Sequence, residues 1–118
     1  MRDLAPDITR QRLLVEGLYT IPVGGEDVER FLRELPAALD LRTYGEVSLH
    51  APGGVGRDSN EGFDAFVPLI DSGISLYVWT AQRFLATVIF TCKAFDADRA
   101  VSFTRDWFAM SDVEHTGF

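Results

Sequence analysis

Asp71-Ser72-Gly73-Ile74-Ser75-Leu76-Tyr77-Val78-Trp79 and Phe84-Leu85-Ala86-Thr87-Val88-Ile89-Phe90-Thr91-Cys92 flank a short break at Ala81-Gln82-Arg83. β-Branched and aromatic residues dominate both runs, so Ile74–Thr80 and Phe84–Thr91 read as the two strands of a hairpin. Nearly every residue in them is apolar. A strand that is apolar on both sides needs both faces of its sheet covered. Helices of the same chain would cover one face; a sheet from a second subunit is expected on the other.

Working towards the N-terminus, Phe63–Ile70 reads as another strand, in which Pro68 points to an edge or a bulge. The segment Ala51–Glu61 holds Pro52, Gly53, Gly54, Gly56, Asp58, Ser59 and Asn60 and reads as a long loop, mobile unless a ligand or neighbouring subunit orders it. Its glycines lack the strand-to-helix setting of a phosphate-binding motif. Glu46–Leu49 is a short strand with Val47 and Leu49 on one face and Glu46, Ser48 and His50 on the other. Val28, Phe31, Leu32, Leu35 and Leu39 recur at helical spacing and predict a helix over Glu26–Leu39, kinked or shortened by Pro36. Pro22, Gly24 and Gly25 stop a first strand at Arg12–Tyr19, and residues 1–10 read as a loose arm.

Towards the C-terminus, Asp96 caps a helix from Ala97 to Met110, with Ala97, Ala100, Val101, Trp107 and Phe108 turned inward. Residues 111–118 are a polar tail. The order β-α-β-β-β-β-α predicts a single α+β domain over 1–118, a two-layer sandwich with an antiparallel sheet and helices on one face.

Size and composition narrow the function. The chain has 118 residues, 47% hydrophobic and 25% charged, enough for one folded domain with one core. A net charge of −7 with a single lysine, Lys93, argues against nucleic acid, which is bound through clustered cations. The acidity suits a cationic or amine-bearing small molecule, although acidic residues also serve plain solubility. No apolar run is long enough for a membrane span or a secretion signal, so a cytoplasmic location is expected. The lone Cys92 allows no internal disulfide, and with two separated histidines, His50 and His115, it gives no zinc cluster.

The hairpin also carries a family resemblance. Asp71-Ser72, the Trp79 that follows, and Phe90-Thr91-Cys92 twenty residues beyond Ser72 resemble the prokaryotic S-adenosylmethionine decarboxylases. Order and spacing extend the likeness from Leu13-Leu14-Val15-Glu16 to the helix after Cys92. The resemblance implies a homodimer with active sites near the subunit junction. It also implies self-cleavage of the Asp71–Ser72 bond, with Asp71 standing where the family usually has Glu. Ser72 would become a pyruvoyl group, a carbonyl electron sink that condenses with a substrate amine. Cys92 would hold the position of the thiol that returns a proton to the carbanion.

Several positions depart from the pattern. Gly73 replaces the histidine that typically follows the serine, and Tyr77 replaces the histidine that assists processing. Tyrosine ordinarily titrates near pH 10, too high for a ready base at neutrality. The helper Ser or Thr eight residues before the serine aligns with Asp64. A Thr-Trp-Pro-Glu run, whose Glu binds the substrate ribose, is here Val78-Trp79-Thr80-Ala81. Trp79 alone is kept, a candidate pocket wall for a flat or cationic ligand as well as a packing residue.

Two readings follow. Loss of the histidine and the glutamate favours an uncleaved descendant that binds a small ligand, or runs a different acid–base reaction through Asp64, Tyr77 or Cys92, at the dimer junction. The alternative is a working pyruvoyl-dependent decarboxylase of S-adenosylmethionine or another amino acid in the polyamine pathway, kept alive by Ser72 and Cys92. His50 reads as solvent-exposed or hydrogen-bonded rather than catalytic, and His115, in the tail, is given no role.

Overall fold

The computed structural model describes residues 1–51 and 61–118, so most of the glycine-rich loop lies outside the described residues. The elements run β1 Gln11–Leu18, α1 Gly25–Ala38, β2 Ser48–His50, β3 Gly62–Leu69, β4 Ser72–Trp79, β5 Phe84–Thr91, α2 Ala97–Trp107 and β6 Asp112–Gly117. Among these residues the strands form one antiparallel sheet in the order β2-β3-β4-β5-β1-β6. The α+β sandwich expected from the sequence is therefore the architecture observed.

Alternation decides which face is dry. Leu13 and Val15, Ala65, Val67 and Leu69, Ile74, Leu76 and Val78, and Leu85 and Ile89 share one face, and all are buried. Val28, Phe31, Leu32 and Leu35 of α1 cover them, joined by Ala100 and Phe108 from α2 and its end. Phe31 ties α1 to the end of α2, its ring 4.7 Å from Phe108 and 5.5 Å from Trp107. Ala97, Val101 and Trp107 pack on this core half-buried. Two buried threonines interrupt the apolar face, but neither is left unpaired. Thr87 donates to the Ser75 carbonyl at 2.8 Å and Thr91 to the Lys93 carbonyl at 2.6 Å.

Among the described residues the opposite face is open. Phe66, Phe90 and Tyr77 are 42%, 41% and 38% exposed there, beside Leu18 at 40%. The two-sided apolar strands are thus covered on one side by this chain alone.

Local signals explain most boundaries. The Asp27 carboxylate accepts the Gly24 N–H at 2.8 Å and opens α1. Pro36 stays inside the last turn, and α1 ends two residues later at Ala38. Asp96 accepts the Arg99 N–H at 3.1 Å, the cap expected of it. Helix α2 stops at Trp107 rather than Met110, with Ala109 at φ 48° turning the chain.

Pro68 sits where β2 no longer covers β3. Its carbonyl accepts the Tyr44 N–H at 2.7 Å on that side, so its missing donor faces away from β4 and costs the β3–β4 ladder nothing.

The polar tail is a correction. Residues 112–117 form β6, paired antiparallel with β1 from Leu18↔Asp112 to Leu13↔Gly117. Asp, Glu and Gly carry no strand signal of their own; the free edge of β1 supplies the pairing. Gly17 makes it possible, because a Cβ there would overlap the Asp112 carbonyl. Among the described residues no helix is long and apolar enough to cross a membrane.

Candidate functional site

The β3–β4 turn and the end of β5 meet at one end of the sheet, where Asp71, Ser72 and Cys92 come together. Ser72 pairs with Leu69 across the turn and with Thr91 on β5. The next ladder bond runs from the Cys92 N–H to the Asp71 carbonyl at 2.9 Å. That carbonyl belongs to the Asp71–Ser72 peptide, so its oxygen already holds a donor on one side.

Ser72 itself is held at φ 126°, a region that favours glycine. Such a conformation in a residue with a Cβ costs on the order of 1–3 kcal/mol and persists only when the surroundings impose it. Here the tight turn after Leu69 and the ladder to Thr91 impose it. Asp71 and Ser72 are half-buried and Cys92 is exposed.

Gly73 is buried, and a Cβ there would stand 2.5 Å from the Phe66 ring. Phe66 therefore fills the room that a side chain at position 73 would use. The absence of a histidine at 73 is built into the packing of this chain.

A second group lies further along the open face. Asp64 is directly opposite Tyr77 on β4 and directly opposite His50 on β2. With Ser48, Phe66 and Ser75 these residues line a shallow cavity of about 190 Å³. Tyr77 lies five residues from Ser72, about 17 Å along an extended strand. One chain therefore does not bring Asp64 and Tyr77 to Ser72.

Trp79 is further still, near the far end of β4, about 24 Å from Ser72 by the same rise. Its ring packs on Phe84 with centroids 5.3 Å apart, and its carbonyl accepts the Tyr19 hydroxyl at 3.4 Å. Burial raises the Tyr19 phenol above its ordinary value. Ala81 is exposed in the β4–β5 turn and carries no polar side-chain group, while the Thr80 hydroxyl is engaged with the Glu61 carbonyl at 3.0 Å.

His50, read from the sequence as solvent-exposed or hydrogen-bonded rather than catalytic, borders this group. Its face was readable, opposite Leu49, but its pairing with Asp64 spans fourteen residues and is a property of the sheet. Among the described residues no group of three or more His, Cys, Asp and Glu side chains is placed to hold a metal ion.

Comparison with known proteins bears on this arrangement. The sequence profile described as S-adenosylmethionine decarboxylase matches residues 24–118. The crystal structure of the adenosylmethionine decarboxylase from Aquifex aeolicus VF5 superimposes with a TM-score of 0.72 at 17% identity, covering 94% of this chain and 89% of that one. At that identity the likeness speaks for the fold. No curated protein shows a significant match to the chain.

Proposed function

Because the chain belongs to the S-adenosylmethionine decarboxylase family, we propose that it is a pyruvoyl-dependent decarboxylase that cleaves itself between Asp71 and Ser72. One observation carries this reading over an uncleaved descendant: Ser72 is held at φ 126° while the Asp71 carbonyl accepts the Cys92 N–H at 2.9 Å. Attack by the Ser72 hydroxyl on that carbonyl converts a strained peptide into an ester. Negative charge then builds on an oxygen that already has a donor in place.

The pyruvoyl group, once formed, supplies the electron sink for loss of carbon dioxide. This chain's residues supply the rest. Cys92 is exposed beside the new end at position 72, within reach to return a proton to the substrate carbon. Ala81 offers no acceptor to a ribose hydroxyl, which favours an amino acid lacking the adenosyl group. The free thiol suits a reducing, cytoplasmic compartment.

The working unit is proposed to be a homodimer formed through the open face. A two-fold partner laid over Phe66 and Phe90 buries the apolar side chains this chain leaves exposed. It also brings the Asp64–Tyr77 pair of one copy towards the Ser72–Cys92 pair of the other, a gap of about 17 Å within a single chain. The reading that the cleavage machinery has been lost draws on the tyrosine at 77 and the alanine at 81.

Cyanoborohydride reduction in the presence of candidate amino acids tests the activity. Decarboxylase function predicts that the 72–118 fragment gains the amine as a reduced Schiff base, the mass of the amine less one oxygen. An intact Asp71–Ser72 bond in protein that still turns over substrate would sink the pyruvoyl mechanism.

A further inference from the structure

The end of the sheet that carries Asp71, Ser72 and Cys92 also carries an arginine without a part in the cleavage. Arg12 stands directly opposite Phe90 on β5, whose ring is exposed on the open face. Cys92 follows Phe90 by two residues and continues the ladder to Asp71. Alternation puts it on that same face, diagonal to Arg12 and about 7–8 Å from it at Cβ. Gln11 fixes the two strands here. Its amide donates to the Phe95 carbonyl at 2.9 Å and accepts the Phe95 N–H at 2.9 Å, which pins the start of β1 to the segment after Cys92.

Arg12 is not satisfied by its own chain. Its Nε is buried without a hydrogen-bond partner, the single such side-chain atom among the described residues. Its guanidinium lies 5.5 Å from the centre of the Phe118 ring and forms no ion pair with a described residue. Arg10 differs: it is bonded to Asp3, whose carboxylate also accepts the Ala5 N–H at 3.0 Å. Arg12 is therefore the uncompensated cationic side chain of the cavity, about 560 Å³, that Asp3, Ile8, Thr9, Arg10, Arg12 and Phe118 border. A guanidinium held partly out of water with no acceptor of its own is costly, and an anion entering the cavity removes that cost.

We infer that Arg12 holds the side-chain carboxylate of an acidic amino acid, so that this chain decarboxylates dicarboxylic rather than neutral or cationic amino acids. The inference rests on the decarboxylase reading and on Cys92 as the thiol that meets the substrate carbon. The carboxylate held is not the one that leaves. The departing group must give up its charge to become carbon dioxide, and a guanidinium on it would favour the ground state over the transition state. A second carboxylate keeps its charge throughout, and a guanidinium grips it through two parallel hydrogen bonds. That grip is equal before and during the reaction, so it shows in substrate binding.

The test measures carbon dioxide release from aspartate, glutamate, asparagine, glutamine and S-adenosylmethionine by self-cleaved wild-type protein and by Arg12→Gln, with sedimentation to follow pairing. The wild type is expected to favour an acid over its amide about 100-fold, the size of a charge-assisted hydrogen-bonded pair. Arg12→Gln should cleave itself normally, stay dimeric and lose that preference through a higher KM at unchanged kcat. Arg12→Lys, which keeps the charge without the planar fork, should recover part of it. A wild type that prefers the amides or S-adenosylmethionine overturns the inference and leaves the decarboxylase reading standing. So does cleaved protein that releases no carbon dioxide from aspartate or glutamate, or an Arg12→Gln variant that keeps the preference. An Arg12→Gln variant that loses pairing and all activity alike gives the guanidinium to the second copy and overturns its part in substrate choice. Wild-type protein that stays whole and inactive overturns the decarboxylase reading and this inference with it.

Discussion

At the residue scale the account turns on the backbone of Ser72. Replacement by either glycine or alanine removes the nucleophile and leaves the chain whole, so the two variants can be compared directly. Glycine is at home at φ 126° and alanine is not. Ser72→Gly is therefore expected to be more stable than Ser72→Ala by about 1 kcal/mol in urea denaturation. Equal stability would mean that no strain is held there. Cys92→Ala separates the two parts this residue plays. The donor to the Asp71 carbonyl is the backbone N–H, so cleavage should proceed at the wild-type rate, while decarboxylation, which uses the thiol, should be lost. The spacing from Ser72 to Cys92 was legible in the sequence; the φ of Ser72 was not, because it comes from a turn closed by β5.

At the element scale, strands with β-branched and aromatic runs declared themselves, and β3, β4 and β5 lie within two residues of the bounds expected from those runs. Capping chemistry was equally readable at Asp96, and Asp96→Ala is expected to cost about 1 kcal/mol of stability. What composition could not show was β6. Asp112, Glu114 and Gly117 are poor strand formers, and the strand exists because β1 has an edge to offer and Gly17 lets the Asp112 carbonyl approach. Gly17→Val is expected to pry β6 from β1. The measurement is amide exchange, which should quicken at 112–117, with a stability loss of about 1–3 kcal/mol for the overpacking. Unchanged protection would show that Gly17 is not what admits β6. The row His50–Asp64–Tyr77 escaped sequence reading for a related reason: each residue lies on a different strand, and only sheet register aligns them.

At the scale of the whole molecule, the two-sided apolar character of β4 and β5 called for cover on both faces. The helices provide one. The other carries Phe66 and Phe90 more than 40% exposed, and pairing through that face is the proposed use. Phe66→Asp combined with Phe90→Asp should leave the helix-side core untouched. It is expected to yield a folded monomer in sedimentation, unable to cleave, because Ser72 then lacks the groups of a second copy. A double variant that remains dimeric would place the junction elsewhere.

Self-cleavage is the claim on which the rest depends, and denaturing intact mass spectrometry of the purified chain addresses it most directly. The account predicts two pieces, residues 1–71 and a pyruvoyl-started 72–118. A single uncleaved mass, unchanged after long incubation, would contradict it.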